Sequence, residues 1–124
     1  METLQQFIQR KNEQFKKAKP IRMKDIGRKG WHIYTREAWT FMPESTIKEK
    51  VLLLERLRLS STKGEITHQD GNKTGKIVYR IGYFMIGKNG NRKGKWVWGQ
   101  FCPIIPAKDL NKLMSKAKKE GTIK

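Results

Sequence analysis

Cysteine and histidine are nearly missing from this chain of 124 residues, which has one Cys and two His. A lone Cys102 excludes an intramolecular disulfide, and so few thiols suit a reducing compartment, which places the protein in the cytoplasm. Two histidines and no paired carboxylates at ligand spacing leave no metal motif, so neither a metal nor a cofactor is expected. The longest apolar run, Val51 to Leu54, is far too short to span a bilayer. Met1 to Lys19 is polar and lacks the apolar stretch of a signal peptide, so no membrane partner is expected. The glycines are scattered at turns rather than gathered into a phosphate cradle, and no dinucleotide fingerprint or nucleophile elbow is present. Flanked by Phe101 and Pro103, Cys102 reads as a small buried hydrophobe rather than a nucleophile.

Acidic residues are scarce too. Eleven Asp and Glu face 28 Lys and Arg, a net charge of +17 and a pI near 10.3. A pI above about 9 is the electrostatic footprint of nucleic-acid binding, because cations replace the counterions of a phosphate backbone. Such a charge also works against compaction, so it calls for a partner. DNA or RNA is the first expectation; an acidic protein partner or a plainly solvated Lys-rich surface are the competing ones. The charge is uneven: the middle of the chain, residues 31–62, is close to neutral, and both flanks are strongly basic.

What is present is aromatic mass. Apolar residues make up only 36% of the chain, but four Trp, three Tyr and five Phe each bury a large area, so the chain folds. Its length matches one domain over 1–124, with basic loose ends at 1–3 and 120–124.

The expected fold is α+β: a three-stranded antiparallel sheet, or one with more strands, packed with N-terminal, central and C-terminal helices. Thr3 caps a first helix from Thr3 to Lys17, with Leu4, Phe7, Ile8 and Phe15 on one face and Pro20 beyond its end. Thr46 and Glu49 form a capping-box pattern before an apolar run, which reads as a buried central helix ending near Leu59; an edge strand over Leu57, Leu59 and Ser61 is the alternative. Glu65 to Gln69 reads as a short strand followed by a turn at Asp70-Gly71-Asn72. Ile77 to Ile86 reads as a central strand covered on both faces, and Trp96 to Phe101 as its hairpin partner across a type I′ turn at Asn89-Gly90. A last amphipathic helix spans Pro106 to Lys119, with Leu110, Leu113, Met114 and Ala117 inward and Gly121 beyond its end. Residues 31–42 fit strand or helix equally.

Three groups of residues can carry function. The first is cationic: Lys88, Arg92, Lys93 and Lys95 around the hairpin tip, with Arg22, Lys24, Arg28 and Lys29 near the N-terminal glycines, positioned for phosphates. The second is Trp96 and Trp98, alternating on one strand face, as a stacking platform for bases or as core. The third is His32, Arg36 and Glu37, the residue types of a small metal-independent nuclease: an acid–base group, a cation for phosphoryl charge and a carboxylate. Binding without chemistry is the leading expectation. The nuclease, and docking on an acidic protein such as a nucleic-acid enzyme, are the alternatives. DNA against RNA, sequence preference and oligomeric state are not encoded in these patterns.

Overall fold

The structure, a computed structural model, describes residues 1–68 and 73–124. Among the described residues, two α-helices flank a five-stranded antiparallel sheet: α1 is Leu4–Phe15 and α2 is Ala107–Lys119. The strands are β1 (Ile21–Lys24), β2 (Gly30–Pro43), β3 (Lys50–Gly64), β4 (Ile77–Ile86) and β5 (Trp96–Trp98), and they lie side by side in chain order as a curled meander. The fold is α+β as expected, and the sheet has five strands, more than the three that were its expected minimum. Among the described residues there are two α-helices where three were expected.

The expected central helix is β3, the middle strand of the sheet. Val51, Leu52, Leu53 and Leu54 are all buried because both faces of this part of the sheet are covered, one by each helix. A continuous apolar run has no period, so it fits a doubly covered strand as well as a buried helix. The capping-box residue Thr46 donates its hydroxyl to Glu44 instead of capping a helix. Residues 31–42, which fit either element, form a strand because β2 pairs along nearly its whole length with β3, from Gly30↔Gly64 to Pro43↔Val51. Register shifts between Ile33 and Tyr34 and between Arg36 and Ala38 mark bulges, which sharpen twist and bend in a sheet.

Helix α1 follows its sequence signals. Thr3 accepts the Gln6 backbone N–H at 3.1 Å, and the Gln6 side chain returns a bond to the Thr3 N–H at 2.9 Å, so the reciprocal cap is complete. Phe7 and Phe15 are buried against Phe41, Val51, Leu53 and Phe84 on one face of the sheet. On the other face Leu113 and Ala117 of α2 pack on Met42, Leu52, Leu54 and Tyr83, while Leu110, expected inward, is 41% exposed. Asp109 in the first turn of α2 takes the Ser45 backbone N–H and hydroxyl, which ties the β2–β3 turn to the helix.

Both chain ends, expected to be loose, are bonded into the fold. Trp96 donates its indole N–H to the Glu2 carbonyl at 3.0 Å. Thr122 is buried, its hydroxyl 2.8 Å from that of Thr40, and Arg56 donates to the carbonyls of Gly121 and Thr122. Strand β4 has the expected bounds, whereas β5 stops at Trp98. Residues 65–68 are outside any strand, and Gln69 and the expected turn at Asp70-Gly71-Asn72 lie outside the described residues. Cys102, expected buried, is an exposed free thiol.

Candidate functional site

The β1–β2 turn is built around one carboxylate. Asp25 is buried; one oxygen is 2.7 Å from His32 Nε2, and the other accepts the Gly27 N–H and both the backbone N–H and hydroxyl of Thr67. The bond from His32, then those from Thr67 and Gly27, hold the Asp25 carboxyl well below the usual carboxylate range. Gly27 is required here, because a Cβ would collide with the Thr67 hydroxyl. The hub holds the turn 26–29 against residues 65–67 and presents the cations of β1 outward. Arg22 and Lys24, two residues apart on β1, both lie over the Trp31 ring, at 4.6 and 4.3 Å from its centroid. Arg28 is exposed at a φ of 63°, and Lys29 reaches only a distant, exposed pairing with Glu65 at 3.8 Å.

The second cationic group sits on the β4–β5 connection. Lys88, Arg92, Lys93 and Lys95 are exposed and face no carboxylate among the described residues. The connection is not a type I′ turn: of the pair Asn89-Gly90 only the glycine is left-handed, Asn89 having φ −135°, and a single 3₁₀ turn, Gly90–Arg92, carries the tip. Strand order puts this group and the β1 group on opposite edges of the sheet.

Trp96 and Trp98 separate in role. Trp96 stacks on Phe7, with centroids 4.8 Å apart and 21° between planes, so it belongs to the core under α1. Trp98 is 38% exposed and meets Phe84 edge-on at 5.0 Å. It folds over Gly82, where any Cβ would strike its ring.

The three residues of the nuclease alternative do not form one site. His32, Tyr34 and Arg36 do share a strand face, and the His32 and Tyr34 rings stack at 6.4 Å. The His32 Nε2–H is spent on Asp25, and its Nδ1 is buried without a partner, so no ring nitrogen faces solvent for a substrate. Arg36 is bound to Glu55. Glu37 points to the other face, held by Arg58 at 2.6 Å and Arg56 at 3.3 Å, and the Arg58 bond first keeps its carboxyl below the ordinary value.

A constellation that sequence reasoning missed lies on the α1 face of the sheet. Glu55 of β3 is completely buried, with one oxygen 2.6 Å from Arg36 Nε and the other 2.7 Å from Arg80 Nε. The Arg36 guanidinium carbon lies over the Phe15 ring, 3.6 Å from its centroid, and that of Arg80 lies 5.0 Å from the centroid of the Trp98 ring. Beside them is an open cavity of about 390 Å³, bordered by the end of α1 and the start of β1. The curl of the sheet brings Ile21 from one edge and Trp98 from the other onto its wall. Lys11 of α1 also lines it, its ammonium 5.1 Å from the Phe84 ring; burial, then Arg10 and Arg36, push that ammonium below its ordinary value. A signal existed: Glu55 interrupts the leucine run and Arg80 interrupts an apolar strand, and charges in such places need partners.

These features define an α+β protein with a curled five-stranded meander and a cationic, aromatic-walled cavity. No family model, no curated protein and no solved structure matches the chain. Among the described residues no helix is long and apolar enough to cross a membrane. No three His, Cys, Asp or Glu side chains among them are grouped so as to hold a metal ion.

Proposed function

We propose that the protein binds nucleic acid through its phosphate backbone, without chemistry, using Arg22, Lys24, Arg28 and Lys29 at one sheet edge and Lys88, Arg92, Lys93 and Lys95 at the other. The observation that carries this reading is where the acids lie. Asp25, Glu44, Glu55 and Asp109 are buried, whereas only Lys50 and Arg56 are buried among the cations. Four acids and two bases withdrawn from the surface leave it two charges more positive than the net +17 of the chain. The long-range field follows the whole net charge of +17, buried groups included. At contact distance, however, a ligand meets an exposed surface more cationic than composition alone gives. The exposed free thiol at Cys102 fits a reducing compartment, and we place the protein in the cytoplasm.

Fluorescence anisotropy with labelled single-stranded DNA, duplex DNA and RNA across a salt series tests this reading. Binding that persists near physiological salt, with a log–log slope of several units, supports it and names the preferred strand form. Loss of binding to all three well below physiological salt would sink it and leave an acidic protein as the partner to seek by pull-down.

A further inference from the structure

The Arg36–Glu55–Arg80 cluster has more donors than its carboxylate can use. Each arginine spends only its Nε–H on Glu55, so the four N–H groups on its two terminal nitrogens have no hydrogen-bond partner among the described residues. None of those terminal nitrogens is sealed from solvent, although Arg36 keeps only 13% of its side-chain surface exposed. Both side chains line the cavity. Four cations line this space, Lys11, Lys19, Arg36 and Arg80, against the single carboxylate of Glu55. Each Glu55 oxygen holds one arginine and so fixes the direction of its fork. A planar guanidinium held rigidly in this way has lost its side-chain freedom before any ligand arrives, which favours binding.

Apart from Gln14, the rest of the wall is apolar and aromatic. Phe15, Phe84, Trp98 and Ile21 face the cavity, and its volume of about 390 Å³ falls within the roughly 300–1,000 Å³ of small-molecule sites. Two arginine forks suit the terminal oxygens of a phosphate monoester, which accept several charge-assisted bonds at once. A half-exposed tryptophan beside them suits a planar ring.

We propose that this cavity is a binding site for a phosphorylated nucleoside, whose phosphate is held by the free forks of Arg36 and Arg80 with Lys11, and whose base lies against Trp98. The same chemistry is offered by a free nucleoside 5′-monophosphate and by the 5′-phosphorylated end of a strand. The inference does not rest on the surface reading above: the outer cations can bind a polyanion with the cavity empty, and the cavity can hold a free nucleotide in a protein that binds no strand.

The test is a two-dimensional NMR titration of the full chain, following the Trp98 indole N–H and the Nε–H signals of Arg36 and Arg80. The probes are AMP, UMP, inorganic phosphate and a short oligonucleotide with and without a 5′-phosphate. Removing Arg36 would leave one buried Glu55 oxygen without its partner and threaten the fold, so the variants are Arg80→Lys and Trp98→Leu, each checked for a native thermal transition. Saturating shifts at the three side chains with a nucleotide are expected, weakened about tenfold or more by Arg80→Lys, as for loss of charge-assisted bonds. Trp98→Leu is expected to weaken AMP and UMP but not inorganic phosphate. Saturation by AMP or UMP marks the free nucleotide as a ligand; saturation only by the 5′-phosphorylated strand marks the strand end. No shift from any phosphorylated probe at millimolar concentration overturns the proposal. So does inorganic phosphate binding as tightly as AMP, or binding that neither variant changes.

Discussion

Glu55 on β3 and Arg80 on β4 stand directly opposite each other in the sheet register, with Arg80 Nε 2.7 Å from the Glu55 carboxylate. The same carboxylate takes Arg36 from β2 on the other side, so one buried acid ties together the three longest strands. Continuum reasoning for buried ion pairs says that the cluster adds little against an apolar alternative, but that removing one partner is severe.

Glu55→Gln should therefore destabilise the protein by about 3–5 kcal/mol, because two arginines remain with no countercharge in the interior. Arg36→Ala should cost more than Arg80→Ala, since the Arg36 side chain is 13% exposed and that of Arg80 30%. Urea unfolding followed by circular dichroism, with the slope checked for constancy, measures both. A Glu55→Gln midpoint indistinguishable from wild type would show that the triad does not hold the sheet.

Acid should unfold the protein through a defined set of carboxylates. Asp25, Glu37, Glu44 and Asp109 all titrate below their free values in the folded chain. For Asp25 the His32 bond leads, for Glu37 the Arg58 bond, and for Asp109 the Ser45 backbone N–H; for Glu44 burial pushes up but bonds from Lys50 and Thr46 outweigh it. A folded-state value below the unfolded one stabilises fully above the unfolded value, 3.8 for Asp and 4.5 for Glu, and that contribution fades as the pH falls below it. Asp25→Asn should be less stable than wild type at neutral pH and should lose stability less steeply on acidification. Urea midpoints measured in steps from neutral pH down to strong acid give the two curves, and parallel curves would refute a special contribution from Asp25.

Salt dependence distinguishes surface cations that meet phosphates from those that do not. Arg92→Ala and Lys93→Ala should each lower the log–log slope by about 0.7 on a single strand or about 0.9 on duplex DNA. Lys16, just past the end of the first helix and already paired with Glu13 at 3.1 Å, is the control, and Lys16→Ala should leave the slope unchanged. Equal effects at all three positions would mean that net charge alone, not the β4–β5 connection, sets the affinity.

Helix α1 should be held by one side chain above the rest. Phe7 is fully buried and meets Phe41, Phe84 and Trp96 in ring contacts of 6.4, 5.0 and 4.8 Å. Phe7→Ala should destabilise by about 3–5 kcal/mol, as other large-to-small core changes of aromatics do. Leu110→Ala, on the exposed side of α2, should change stability little, and thermal unfolding of the pair makes the comparison.

The sequence by itself determined the features whose causes are local. Thr3 and Gln6 sit three residues apart and cap α1 whatever the sheet does. The bounds of β4 and of α2 were legible to within a residue, because a run of β-branched and aromatic residues marks a strand and the 3.6-residue period marks a helix. The expected cover on both faces of β4, by contrast, fails at Ile77 and Tyr79, which are exposed. The excess of cations, and hence the expectation of a polyanion, is compositional. Tertiary structure alone decided β3. Nothing local tells Val51 to Leu54 whether a helix or two covering layers will bury them, and the answer came from α1 and α2 closing over opposite faces. Only the tertiary structure also assembled the cavity, since Lys11, Arg36, Glu55, Arg80 and Trp98 come from five different elements and are joined by the curl of the sheet. Pairing between residues far apart in sequence is a property of register, and register is settled by the whole sheet at once.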